Sequence, residues 1–139
     1  MSTLRVKWDC EHIEAVVDQL DFSKLNGLVT VITQDWHTNE ILMCAFANRD
    51  AILQSLTTGL ATYYSRSQNR LWQKGETSGH IQEIKEIYID CDDDTVLFKV
   101  EQKVAACHKG YRSCFYRRLN ENGELDLVRE KVFDPSEVY

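Results

Sequence analysis

Leu28-Val29-Thr30-Val31-Ile32-Thr33-Gln34-Asp35-Trp36-His37-Thr38-Asn39-Glu40-Ile41-Leu42-Met43-Cys44-Ala45-Phe46-Ala47 reads as two strands joined by a turn. Leu28 to Gln34 is dense in β-branched residues and Ile41 to Ala47 is apolar throughout, which predicts a hairpin with a buried second strand. Asp35 to Glu40 is polar and supplies the turn. Upstream, Ile13, Val16, Val17 and Leu20 recur at helical spacing within Glu11 to Leu20, and Asp21 to Gly27 connects that helix to the first strand. Downstream, Asn48 is placed to cap a helix over Arg49 to Thr57, with Ile52, Leu53 and Leu56 inward and Gly59 ending it. Strand patterns return at Ala61 to Ser65, Arg70 to Gln73, Ile81 to Cys91, Thr95 to Gln102 and Arg112 to Leu119, divided by turn residues such as Gln68-Asn69 and Gly75. A last short strand is expected within Glu124 to Arg129. The pattern predicts an α+β fold, a mainly antiparallel β-sheet with a few short helices.

The chain has 139 residues, 43% of them hydrophobic and 27% charged, a size and balance that suit one domain over residues 1–139. A single proline leaves little room for disordered linkers. Met1 to Cys10 lacks the apolar core of a signal peptide and no apolar run approaches the span of a bilayer, so a cytoplasmic protein with no membrane partner is expected. There Cys10, Cys44, Cys91, Cys107 and Cys114 stay reduced, and metal binding or burial accounts for them better than disulfides. The net charge of −6 argues against general nucleic-acid binding. Arg66, Arg70 and Lys74 in one segment, and Lys109, Arg112, Arg117 and Arg118 in another, suit a small phosphorylated ligand or are solvated strand faces.

Two stretches carry candidate metal chemistry: Asp90-Cys91-Asp92-Asp93-Asp94, and Cys107-His108-Lys109-Gly110-Tyr111-Arg112-Ser113-Cys114. Carboxylates suit a hard cation such as Mg²⁺, and thiolates suit zinc. If the chain is extended, Asp90, Asp92 and Asp94 share one face and Cys91 takes the other. If it turns at Asp92-Asp93-Asp94, the acids can still converge on a cation. The plainer alternatives are a polar hairpin tip for the aspartates and a small buried hydrophobe for Cys91. Cys107 and Cys114 also lack the short spacing of common zinc folds. Three thiolates without an evident fourth partner would leave zinc an open position for water, whose pKa zinc lowers toward about 7. His108 follows Cys107 directly, so on an extended chain it points away from the metal and suits a proton shuttle better than a ligand.

Taken with Tyr64-Ser65-Arg66-Ser67 and Leu71-Trp72-Gln73-Lys74-Gly75-Glu76-Thr77-Ser78-Gly79-His80, these motifs in this order closely resemble those of the phosphoribosyl-AMP cyclohydrolase family. The resemblance runs from about Gly27 to Arg118. It implies hydrolysis of the adenine bond between nitrogen 1 and carbon 6 of phosphoribosyl-AMP, giving the formimino-aminoimidazole carboxamide ribonucleotide in the third step of histidine biosynthesis. It also implies an intertwined homodimer, with zinc held by Cys91, Cys107 and Cys114 from both chains and Mg²⁺ held by Asp90, Asp92 and Asp94. Asp93 stands where many relatives place glycine. The chain after the resemblance is too short for the pyrophosphohydrolase domain to which this family is often fused.

Opening a purine ring needs a nucleophile and a proton donor together. Zinc-activated water suits the first role and His108, a residue type that titrates near neutrality, the second. Candidate substrate-binding residues are Arg66, Ser67, Trp72, Lys74, Gly75, Thr77, Ser78, Gly79 and His80, since glycines let the backbone approach a phosphate closely. Trp72 is equally readable as core, Gly75 and Gly79 as a hairpin turn, and His80 as a cap for the next strand. Cys10 and Cys44 read as buried or incidental. Two other functions fit parts of the pattern: a zinc-dependent nucleotide deaminase, which would carry His-x-Glu and Cys-x-x-Cys signatures absent here, and a non-catalytic zinc-linked nucleotide-binding dimer.

Overall fold

The computed structural model describes residues 8–139, so most of the Met1 to Cys10 reading lies outside the described residues. Helix α1 (Cys10–Gln19) begins where the Asp9 carboxylate accepts the His12 amide at 2.9 Å, satisfying a donor that the first turn leaves free. Strands β1 (Val29–Asp35) and β2 (Ile41–Ala47) form the expected hairpin. Helix α2 (Arg49–Thr58) starts at Asn48, whose side chain accepts the Ala51 amide at 2.8 Å. Six short strands follow: β3 (Thr62–Ser65), β4 (Arg70–Gln73), β5 (Gln82–Ile89), β6 (Thr95–Gln102), β7 (Arg117–Leu119) and β8 (Leu125–Leu127).

Four strands make one sheet in the order β2-β1-β6-β5, and β3-β4 and β7-β8 are separate ribbons. The α+β reading with mainly antiparallel strands holds. One pairing differs: β1 and β6 run parallel, from Thr30 opposite Thr95 to Asp35 opposite Val100. Local sequence patterns carry no sign of it, because strand direction is set by the long connection between the two strands.

Two expected strands are shorter than their patterns. β5 stops at Ile89, so Asp90 and Cys91 belong to the turn before β6. Of Arg112 to Leu119 only Arg117–Leu119 is strand. The residues before it are held against β2, where Ser113 Oγ donates to the Ile41 carbonyl and the Cys114 amide to the Leu42 carbonyl, both at 2.7 Å.

Burial along β1 and β6 alternates strictly, which puts Val29, Val31, Thr33 and Asp35 on the inner face beside Val96, Phe98, Val100 and Gln102. The apolar part of this face meets Val17, Ile52, Leu56 and Tyr63 in the core. Each such side chain removed from water stabilises the fold by about 1.5–3 kcal/mol. At the other end of the face the buried residues are polar and must find partners. Thr33 Oγ1 lies 2.7 Å from Tyr63 Oη, Tyr63 Oη donates to Gln82 Oε1 at 2.6 Å, and Gln82 Nε2 donates to Gln102 Oε1 at 2.7 Å. This polar end supports the candidate site. Among the described residues no helix is long and apolar enough to cross a membrane.

Candidate active site

Cys107 and Cys114 lie on the loop between β6 and β7, and the loop is closed by its own backbone. The Ala106 amide donates to the Arg112 carbonyl at 2.9 Å, the Cys107 amide to the Tyr111 carbonyl at 3.2 Å, and the Gly110 amide to the Cys107 carbonyl at 3.2 Å. Cys107 to Tyr111 is therefore a tight turn and not an extended segment, with His108 exposed on it. Arg112 fastens the loop from below: one guanidinium nitrogen donates to the Gln102 and Val104 carbonyls, each at 3.0 Å, and the other pairs with the fully buried Asp35. Burial alone would raise the Asp35 carboxyl, but Arg112 and the His37 and Thr38 amides outweigh it and hold the group below the ordinary carboxylate range.

The two thiols are near enough for Cys107 to influence the charge of Cys114. Cys107 is buried, whereas Cys114 reaches the surface on one side. Desolvation by the protein around its sulfur, and then the neighbouring Cys107, push the Cys114 thiol up to about 11. Lys74 Nζ donates to the Ala106 carbonyl at 2.6 Å, and Lys74 is only 7% exposed. Burial pushes its ammonium below lysine's ordinary range, against the pull of the nearby Cys114 and Cys107. Lys74 is thus an anchor of the thiol loop.

Asp90, Asp92 and Asp94 occupy the β5–β6 turn, so the extended arrangement of these acids is not what forms. The Asp90 carboxylate accepts the Asp94 amide at 3.1 Å and the Thr95 amide at 3.2 Å, and Asp93 takes a φ of 65°. Aspartate tolerates that left-handed geometry better than most residues, and glycine would adopt it freely. The turn brings one oxygen from each of Asp90, Asp92 and Asp94 within 4.8 Å of the others. Lys24, from the connector before β1, donates to Asp92 at 3.0 Å and Asp94 at 3.2 Å. Sequence reasoning missed Lys24, since a single lysine in a connector carries no signal. Cys91 is exposed on the same turn. Among the described residues the aspartate trio is the only convergent group of three His, Cys, Asp or Glu side chains, so Cys91 does not join Cys107 and Cys114 within one chain.

A cleft of about 360 Å³ runs between the β3–β4 ribbon, the Lys74–Ser78 turn and His108. Of the expected substrate residues it gathers Trp72, Lys74, Gly75, Thr77 and Ser78. Trp72 lines the cleft and also packs against Tyr63, with ring centroids 5.2 Å apart. Gly75 is required by the chain itself: at φ +87° an added Cβ would lie 2.6 Å from the backbone of His80 and Ile81. Arg66 and Ser67 lie outside the cleft. The Arg66 guanidinium sits 4.2 Å over the Phe46 ring, beside a separate hollow that includes Tyr64 and Asn69. Gly79 and His80 are also outside its lining.

His80 is buried, and its Nδ1 is the one buried side-chain nitrogen or oxygen without a partner among the described residues. Burial, with Lys74 adding to it, holds His80 below histidine's ordinary range and so neutral at pH 7. The basic clusters are largely engaged within the fold: Arg70 pairs with Glu76 at 2.9 Å and the Arg117 guanidinium lies 5.4 Å from the Tyr116 ring. Cys10 and Cys44 are both exposed, which removes the buried alternative and leaves them as incidental thiols. Tyr139 lines the cleft and had no sequence signal.

A polar cleft rich in hydroxyl and amide donors, bordered by an exposed histidine and set beside a thiol pair, suits proton-transfer chemistry on a small anionic substrate. A cleft of this size and lining can take a small ligand. A family model described as phosphoribosyl-AMP cyclohydrolase matches residues 43–116. A phosphoribosyl-AMP cyclohydrolase of Desulforapulum autotrophicum is 54% identical over 122 residues, covering 87% of this chain and 98% of the relative. Those of Methanosarcina mazei and Nitratidesulfovibrio vulgaris are each 55% identical, covering 86% of this chain and 99% and 94% of the relatives. The chain belongs to the phosphoribosyl-AMP cyclohydrolase family.

Proposed function

We propose that the protein hydrolyses the bond between nitrogen 1 and carbon 6 of the adenine ring in phosphoribosyl-AMP, in the cytoplasm, as the third step of histidine biosynthesis. The observation that carries this reading is identity of 54–56% to relatives of that name over 87% of the chain. The cleft supports it, with Thr77, Ser78 and the backbone around Gly75 as phosphate donors and Trp72 as a surface for the base.

Zn²⁺ fits Cys107 and Cys114 because one loop brings two soft sulfurs near enough to influence each other's charge. Cys91 would complete the set from a second copy, since it is exposed and does not converge with Cys107 and Cys114 in its own chain. A homodimer is further supported by the outer sheet face, where Ile41 and Tyr88 are exposed around a hollow that reaches Asp90. Mg²⁺ fits the convergent carboxylates of Asp90, Asp92 and Asp94, where Lys24 already places one positive charge. When bound, zinc activates water for attack at carbon 6. His108 stands at the cleft edge, where its ring can pass a proton to nitrogen 1 as the ring bond breaks. Lys74 keeps the thiol loop in register with the cleft through Ala106.

Purified protein incubated with phosphoribosyl-AMP should open the ring without releasing ammonia, and a chelator should stop it. Ammonia release would mean a nucleotide deaminase. Absence of any reaction in metal-loaded protein would mean a non-catalytic zinc-linked nucleotide-binding dimer.

A further inference from the structure

We propose that Lys131–Tyr139, which follows the family-matched residues 43–116, is a strap that carries Tyr139 to the cleft and presents its ring as a stacking surface for the purine. The purine's identity rests on the cyclohydrolase reading; the placement of Tyr139 rests on geometry.

The strap is fastened to the turn that carries Cys107 and His108. Lys131 bridges to Tyr111, and the Val132 amide donates to the Gly110 carbonyl at 2.7 Å. Gly110 makes this approach possible, because a Cβ there would lie 2.8 Å from the Phe133 carbonyl oxygen. Phe133 then packs edge-on against His80 with centroids 4.8 Å apart. Next, Asp134 accepts the Ser136 amide at 3.0 Å and caps a single 3₁₀ turn (Pro135–Glu137). The Tyr139 amide donates back to the Pro135 carbonyl at 2.9 Å, so the chain reverses and returns its last aromatic ring to the cleft.

There the Tyr139 ring stands edge-on to His108 with centroids 6.3 Å apart and leans on Phe133 at 6.2 Å. It remains 52% exposed, so an aromatic surface is held in place and left uncovered at the mouth of a polar cleft. Trp72 is the other large aromatic ring in the lining. Phosphates are served by the hydroxyl and amide donors, whereas a heteroaromatic base gains most from a flat ring held rigidly. Tyr139 supplies such a ring.

The test is steady-state turnover of phosphoribosyl-AMP and calorimetric binding of AMP by the wild type, Tyr139→Ala and Tyr139→Phe. Because Tyr139 is half exposed, its truncation leaves no buried cavity. Tyr139→Ala should raise KM and weaken AMP binding about tenfold, the loss of one base–aromatic stack, with kcat changed by less than about twofold. Tyr139→Phe should match the wild type. KM and AMP affinity unchanged in Tyr139→Ala, or Tyr139→Phe as impaired as Tyr139→Ala, would overturn the stack. Wild-type protein that binds AMP through Tyr139 yet turns over no phosphoribosyl-AMP would overturn the cyclohydrolase reading alone, and wild-type protein that neither binds AMP nor reacts would overturn both.

Discussion

The side chains of the Cys107–Cys114 loop are set among β2, Asp35 and Lys74, whereas the Asp90–Asp94 turn is held through its backbone by the Asp21 and Thr30 amides and leaves its carboxylates at the surface with one exposed lysine. The contrast follows the chemistry of the donors. Thiols sit comfortably in a partly apolar setting, so the fold can bury one and order the pair before any ion arrives. Carboxylates resist desolvation, so three of them gather only where water and an ammonium relieve their repulsion. The thiols are therefore placed by packing, and the carboxylates by electrostatics at the surface.

The largest effect should come from Cys107→Ser, which removes one of the two thiols proposed to hold zinc. Zinc content measured by elemental analysis should collapse and turnover with it, while added Mg²⁺ restores nothing. Zinc retained at the wild-type level would break the contrast at its first point.

Next in size is Asp35→Asn, which leaves Arg112 without its anion beneath the thiol loop. Urea unfolding at pH 7 should show a loss of about 2 kcal/mol, less than for a wholly buried pair because Arg112 reaches solvent. The pH dependence has a definite sign. The folded Asp35 carboxyl lies below its ordinary value, so its stabilisation is present above about pH 4 and disappears as pH falls through the folded pKa. Wild-type stability should thus decline in acid along a limb that is shallower in Asp35→Asn. Parallel acid limbs in the two proteins would remove Asp35 from this role.

The smallest effect belongs to the acid turn. Lys24→Gln removes the ammonium that occupies Asp92 and Asp94, so Mg²⁺ measured by calorimetry should bind more tightly, by no more than about fivefold for so exposed a pair. Weaker Mg²⁺ binding would make Lys24 a positioning group for the carboxylates and not their competitor.

Much of this arrangement was legible in residue order. The β1–β2 hairpin, the Asn48 cap and both helices follow from periodicity and capping, which are local. What escaped was non-local. The parallel β1–β6 pair depends on a long connection, and the ends of β5 and β7 depend on which backbone groups find tertiary partners. At the site, Trp72, Lys74, Gly75, Thr77, Ser78 and His108 do converge on one cleft, while Arg66 turns to Phe46 and Arg112 to Asp35. A sequence displays the charge of an arginine but not the partner that takes it. Lys24 and Tyr139 reach their places only through the folding of the connector and the strap.

The most direct test is to mix Cys91→Ser protein with Cys107→Ser protein, each inactive alone, under conditions where native mass spectrometry confirms subunit exchange. If one ion takes Cys107 and Cys114 from one chain and Cys91 from the other, each mixed dimer regains one intact site, and about a quarter of wild-type turnover should return. No recovery from chains that demonstrably exchange would contradict a zinc site shared between two copies.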